Sequence, residues 1–286
     1  MLPNCLQYFL LFITKSRCKV DASKIKYIME KSPLVSIITP SYNSANFIGE
    51  TIESIQAQTY KNWELIITDD CSKDNTIEVI NSYIANDSRI KLFKLEKNSG
   101  GGVARNNSIE NANGRYIAFC DSDDRWYPEK LEKQIDFMLK KDCAFSYTSY
   151  MTCDDDGEIN GIVVCPRQVT LSSSLRDDKI GCLTVVYDVE KVGKIFLPDI
   201  RKRQDWGMKL KILKKCVCAY GMKEPLAIYR LREGSISRKK KHLIKYNIKV
   251  YHDVLGWSKL RSVLFFVFFF APSHLLKKII VSIYNR

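Results

Sequence analysis

The chain has 286 residues, 45% of them hydrophobic, enough for one large or two small domains with a sizeable core and too apolar for bulk disorder. Its ten cysteines form no C-x-x-C pair, which excludes a zinc ribbon or thioredoxin-like site and reads as a reducing, cytosolic environment. The net charge of +13 belongs to an appendage: residues 238–286 hold eleven Lys/Arg against the single acid Asp253.

In chain order, residues 1–32 stand apart. The apolar run 6–13 is too short to span a bilayer and has no positive region before it, so it makes a poor signal peptide. Met29 precedes Pro33, where regular patterning begins. We expect 1–28 to be a loose extension, or Met29 to be the natural start.

From Leu34 the periods alternate. Residues 35–39, 63–68, 90–95 and 116–120 read as strands. Ile48, Ile52 and Ile55, then Ile77, Ile80 and Ile84, give helical spacing. Residues 103–112 read as a helix with Gly114 just past its end, and Leu131, Ile135, Met138 and Leu139 mark another, opened by Pro128. This alternation predicts an α/β fold: a Rossmann-like, mostly parallel sheet with helices on both faces. Asp154-Asp155-Asp156-Gly157, between two strand-like runs, is a hairpin turn signal rather than a metal cluster.

The strand at 116–120 ends in Asp121-Ser122-Asp123-Asp124. Three carboxylates at one strand end repel one another unless a cation sits among them. Mn²⁺ or Mg²⁺, shared with a diphosphate, suits such a cluster, while capping of the helix near Pro128 is the alternative. All three histidines lie at or beyond position 242, so proton transfer in the body must fall to a carboxylate, Tyr or Lys.

Four loops should converge at the carboxyl edge of the sheet. They are Thr39-Pro40-Ser41-Tyr42-Asn43, Asp69-Asp70-Cys71-Ser72-Lys73-Asp74-Asn75-Thr76, Asn98-Ser99-Gly100-Gly101-Gly102-Val103-Ala104-Arg105-Asn106, and the acidic loop. In order and spacing they resemble the motifs of family 2 glycosyltransferases of the GT-A fold, of the bacterial surface-polysaccharide type. Gln204-Asp205-Trp206 stands where that family usually has Glu-Asp and an aromatic. Tyr229-Arg230, with Ser235 and Ser237, resembles a further family segment, although Arg232 stands where His is often found.

The resemblance implies roles. Pro40 and Tyr42 would lie beside the base of a nucleotide, Asp70 would accept from uracil N3–H, and Arg105 would reach the nucleotide. Asp121 would contact ribose or metal, Asp123 would ligate Mn²⁺ or Mg²⁺, and Asp205 would be the general base of an inverting displacement. Gly100-Gly101-Gly102 would let a backbone pass close to the ligand. Trp126 and Trp206 are candidates for a sugar cleft or for the core.

The expected organisation is 33–140 as the nucleotide-sugar half, 141–237 as the acceptor half, and 238–286 as a helical, basic, Phe-rich tail. The run 263–272 is too short to cross a bilayer, and its flanking Lys and Arg fit an interfacial anchor. The implied activity is transfer from a nucleotide sugar, UDP-linked in expectation, to a lipid-linked glycan in O-antigen or capsule synthesis. The implied place is the cytoplasm, peripheral at the inner face of the plasma membrane. A sugar nucleotidyltransferase shares the sheet logic but releases pyrophosphate. A nucleic-acid partner is disfavoured, because the basic residues gather beside a Phe-rich run rather than across a folded face.

Overall fold

A computed structural model describes residues 32–232 and 243–273. The proposed extension before residue 32, the cluster Arg238–Lys241, Ser235 and Ser237 lie outside the described residues. The described residues from Leu34 onward form one unit.

The first strands match the apolar runs: β1 (Val35–Ser41), β2 (Trp63–Asp69), β3 (Ile90–Lys94) and β4 (Tyr116–Phe119). They pair in parallel in the order β3-β2-β1-β4. Between them run helices α1 (Ile48–Gln56), α2 (Thr76–Ile84) and α3 (Gly101–Glu110). Helix α4 (Lys130–Lys141) follows the short β5 (Arg125–Trp126).

Strand alternation divides the side chains between two cores. Val35, Ile37, Leu65, Ile67, Tyr116 and Ala118 face α1, α2 and α4. Ile38, Ile66, Ile117 and Phe119 face the other way, with Ile109 of α3. The continuous apolar runs in the sequence are this double burial.

The second half changes the pairing. β6 (Phe145–Cys153) and β7 (Ile159–Val163) form an antiparallel hairpin whose turn carries Gly157 at φ 90°, as the Asp-Gly signal predicts. β8 (Gln168–Val169), β9 (Val186–Asp188) and β10 (Ala219–Arg230) complete a ten-stranded sheet. β9 lies antiparallel between β4 and β6, while β10 runs parallel to β6 and antiparallel to β5 and β8. The sheet is therefore parallel in its first half and mixed in its second.

Gly114 is not a helix cap. Helix α3 ends at Glu110, and Gly114 lies against β1, where a Cβ would meet the Ser36 nitrogen at 2.6 Å and the Leu34 oxygen at 2.7 Å. The acidic loop does not cap α4 either, whose N-cap Glu129 makes no side-chain cap bond.

Three short helices, α5 (Leu171–Arg176), α6 (Val189–Val192) and α7 (Gln204–Leu213), precede the tail. The tail folds as α8 (Ile244–Lys249), a π-turn Val250–Val254, α9 (Lys259–Phe265) and a second π-turn Phe266–Phe270. Val250, Tyr251 and Phe270 close a third core on Ile200, Trp206 and Leu210. Trp206 and Trp126 are 0% and 3% exposed, which corrects their candidacy for a sugar cleft. Their indole N–H groups donate to the Ser174 and Leu183 carbonyls.

Candidate active site

The chain leaves β1 on one side for β2 and returns to its other side as β4. Ligands of open α/β sheets bind at such a switch point, beyond the carboxyl ends of the strands. The loops after β1 and β4 meet here, and Ser44 Oγ lies 2.8 Å from Ser122 Oγ. A cleft of about 1680 Å³ opens above them, and Pro40, Tyr42, Asp70, Arg105, Asp121, Asp123 and Asp205 all line it.

Asp70 is 2% exposed, and its two oxygens accept the Ser99 and Gly100 amides at 2.6 and 2.7 Å. The carboxylate thus shapes the glycine turn and keeps acceptor capacity toward the cleft. Asp69 is buried as well and accepts from the Ser72 amide, a structural use. Tyr42 is 45% exposed at the mouth of the cleft, open to a stacking partner.

Gly102 makes room for protein rather than ligand: a Cβ there would lie 2.5 Å from Gln204 Nε2. The glycine run therefore docks the start of α7 onto the start of α3. Asn106 adds two bonds to this joint, with its amide donating to the Leu197 carbonyl and its Oδ1 accepting the Leu197 N–H.

The acidic loop is matched by arginines. Arg105 Nη2 pairs with Asp121 Oδ1 at 2.5 Å. Burial works against the Arg105 charge, but Asp121 outweighs it and raises the pKa, so the guanidinium stays charged. Arg232 Nη1 reaches Asp123 Oδ2 only at 3.4 Å. Burial, then the like charge of Asp121, raises the Asp123 pKa above the ordinary range. Asp124 is 1% exposed and accepts the Arg230 amide, so it braces the loop from behind. Arg230 fixes the same loop: Nε donates to the Asp123 carbonyl, Nη1 to the Asp155 carbonyl, and Nη2 pairs with Glu50 at 2.7 Å.

These residues fit a divalent ion of a particular kind. Among the described residues no group of three His, Cys, Asp or Glu side chains holds a metal by itself. Asp121 and Asp123 crowd like charge at the cleft wall, and the cation facing Asp123 is distant. One or two carboxylates completed by substrate phosphates is the usual Mg²⁺-type arrangement.

Asp205 sits in the first turn of α7. Burial alone would raise its pKa, but Lys209, 3.0 Å away, together with Arg105 and Arg203, holds it at about 2. Lys209 is 1% exposed, bridges Asp205 to Asp178 and donates to the Ile180 carbonyl. Sequence reasoning missed it. Its signal was the i,i+4 spacing from Asp205 on a helix.

An α/β sheet with an Asp-x-Asp loop and a carboxylate-bearing helix at its switch-point cleft has the architecture of a GT-A glycosyltransferase. The comparisons agree: residues 36–182 match the model of glycosyl transferase family 2. The chain belongs to glycosyltransferase family 2.

It is 47% identical to TuaG of Bacillus subtilis, a glycosyltransferase assigned to teichuronic acid biosynthesis, over 78% of this chain and 88% of that protein. It is 41% identical to WfgD of Escherichia coli over 78% of this chain and 85% of that protein. WfgD is a UDP-Glc:α-D-GlcNAc-diphosphoundecaprenol β-1,3-glucosyltransferase. Among solved structures, Staphylococcus aureus TarS 1–349 in complex with UDP-GlcNAc superposes with a TM-score of 0.63 at 20% identity, covering 80% of this chain and 69% of that one. A mannosyltransferase of Pyrobaculum calidifontis, with GDP-Man and Mn²⁺, gives a TM-score of 0.53 at 17% identity over 78% and 62%. At these identities the two structures speak for the fold.

Proposed function

We propose that the chain is an inverting, metal-dependent transferase that moves a sugar from a UDP-sugar to a lipid-linked glycan in surface-polysaccharide synthesis. The observation that carries the reading is that Asp70, the Asp121–Asp123 pair and Asp205 line one cleft. Its volume of about 1680 Å³ exceeds the roughly 300–1,000 Å³ of a pocket for one small ligand, so donor and acceptor have room together.

The donor base lies by Tyr42, with Asp70 accepting from uracil N3–H. Asp123, with Asp121, would hold Mn²⁺ or Mg²⁺, which would supply positive charge to the departing diphosphate. Arg105 and Arg232, paired here with these two carboxylates, are the cations that would face the same phosphates. Asp205 accepts the proton of the acceptor hydroxyl as its oxygen bonds to the anomeric carbon. The bond from that carbon to the diphosphate breaks on the opposite face, and its electron pair leaves with the phosphate. Lys209, with Arg105 and Arg203, keeps Asp205 ionised, so its carboxylate is in the acceptor form that this role needs.

The acceptor and the place of action follow the relatives and the tail. No helix among the described residues is long and apolar enough to cross a membrane. Phe265, Phe266 and Phe270 pack on the third core, whereas Leu260 and Phe268 are 70% and 66% exposed and Leu264 and Val267 are exposed beside them. That apolar face, flanked in sequence by basic residues, suits an anionic membrane surface on the cytoplasmic side.

Calorimetry and kinetics on two variants test the assignment. Asp70→Ala should weaken UDP binding. Asp205→Asn should leave UDP binding intact and lower turnover by roughly 10²–10⁴-fold, the scale of a lost general base. Loss of UDP binding in a folded Asp205→Asn protein would remove Asp205 from the role of base.

A further inference from the structure

The cleft continues past Asp205 toward the tail, and nothing in the donor reaction uses that end. Its rim carries Lys179, Arg201, Lys202 and Arg203. Lys179 and Arg201 are exposed, and none of the four is held in an ion pair among the described residues. The carboxylates nearby are few: Asp178 is engaged by Lys209, and Asp199 is exposed on the same loop. Arg203 has a buried Nε with no partner.

Behind this basic rim the wall turns apolar, with Ile244, Phe266, Phe270 and Ala271 from the tail helices. One polar group breaks it. Asn247 is 4% exposed, lines the cleft, and has a buried Oδ1 without a hydrogen-bond partner. A buried acceptor without a partner is costly to keep, so its place in a cleft wall points to a ligand that donates to it.

The arrangement is anchored. Ile200, in the middle of the basic loop, packs in the third core with Trp206 and Phe270. The loop, the start of the Asp205 helix and the tail are thus one packed assembly.

We propose that this end of the cleft is the acceptor subsite, where Arg201, Lys202 and Arg203 grip the diphosphate that joins the acceptor glycan to its lipid. Four cations around a neutral-to-apolar wall match an amphipathic ligand with a doubly charged linker followed by hydrocarbon. Arg203 stands two residues before Asp205, so a diphosphate held there puts the attached sugar beside the base. Asn247 accepts from a hydroxyl of that sugar, and the tail wall takes the first part of the lipid. This rests on the transferase reading above and adds the residues that select a diphosphate-linked acceptor.

The test uses the full chain in neutral detergent micelles with farnesyl diphosphate as the probe. The wild type should bind it in saturating UDP, because the two diphosphates occupy different ends of the cleft. The double variant Arg201→Ala/Lys202→Ala, at a solvent-facing loop, should bind it about tenfold or more weaker, the scale of lost charge-assisted hydrogen bonds, with UDP affinity unchanged. Phosphatidylglycerol in the same micelles should not displace it.

Displacement by UDP would overturn the proposal by assigning the probe to the donor site. Displacement by phosphatidylglycerol would overturn it in favour of an anionic-lipid surface. Unaltered affinity in the double variant would overturn it too. A wild type that binds UDP but not farnesyl diphosphate refutes the acceptor subsite alone, whereas one that binds no UDP refutes the transferase reading and the subsite with it.

Discussion

Among the cations that keep Asp205 ionised, Lys209 is the largest contributor, ahead of Arg105 and Arg203. Removing one partner of a buried ion pair strands the other, at about 3–5 kcal/mol. Lys209→Met should therefore lower the urea midpoint, and it should let the Asp205 pKa rise from about 2. A base with a raised pKa is protonated at higher pH, so the acid limb of the kcat profile should move upward.

A second buried lysine acts on stability alone. Lys130 is 0% exposed, its ammonium 3.9 Å from the Trp126 ring centroid, and burial lowers its pKa to about 7. Between pH 7 and about 10 the unfolded chain holds a proton there that the folded chain has released. Stability should accordingly rise with pH across that window. Urea midpoints at pH 7, 8.5 and 10 measure it, and Lys130→Met should flatten that rise. Neither lysine was singled out in the sequence, because their meaning depends on partners and burial set by distant strands. That Asp70, Asp121, Asp123 and Asp205 would share one cleft was legible because each stands in a recognisable motif at an element's edge.

Among elements, the four parallel strands were readable because both of their faces are buried, which writes an uninterrupted apolar run. β9 was not: it has three residues and owes its place to β4 and β6 on either side. Gly114 looked like a cap because a helix precedes it, and only the approach of β1 gives its reason.

The tail was legible as apolar and basic, but not in which rings face out. Phe265 and Phe266 pack inward, so they are poor sites for testing attachment. Leu264, Val267 and Phe268 are exposed, and changing them to Ser should leave the fold and UDP binding intact while reducing vesicle binding. Each such side chain contributes roughly 1.5–3 kcal/mol when buried, and each basic residue near anionic lipid about 1 kcal/mol. Wild-type binding to phosphatidylglycerol vesicles should weaken with salt yet persist, whereas the triple variant should be released by salt. Equal sedimentation of both proteins at high salt would show that another surface docks.

At the scale of the whole molecule, one cleft joins a parallel half that supplies Asp70, Asp121 and Asp123 to a mixed half that supplies Asp205 and the basic loop. The joint is made by Gly102 against Gln204 and by Asn106 against Leu197. The central claim is a single displacement assisted by Asp123 with a divalent ion and by Asp205. It is tested most directly by the anomeric NMR signal of the product formed from a panel of α-linked UDP-sugars and a GlcNAc-diphosphate-lipid acceptor, with Mn²⁺. The account predicts a β-linked product with release of UDP, lost in excess chelator and in Asp123→Ala and slowed roughly 10²–10⁴-fold in Asp205→Asn. An α-linked product, release of pyrophosphate, or full activity in excess chelator would contradict it.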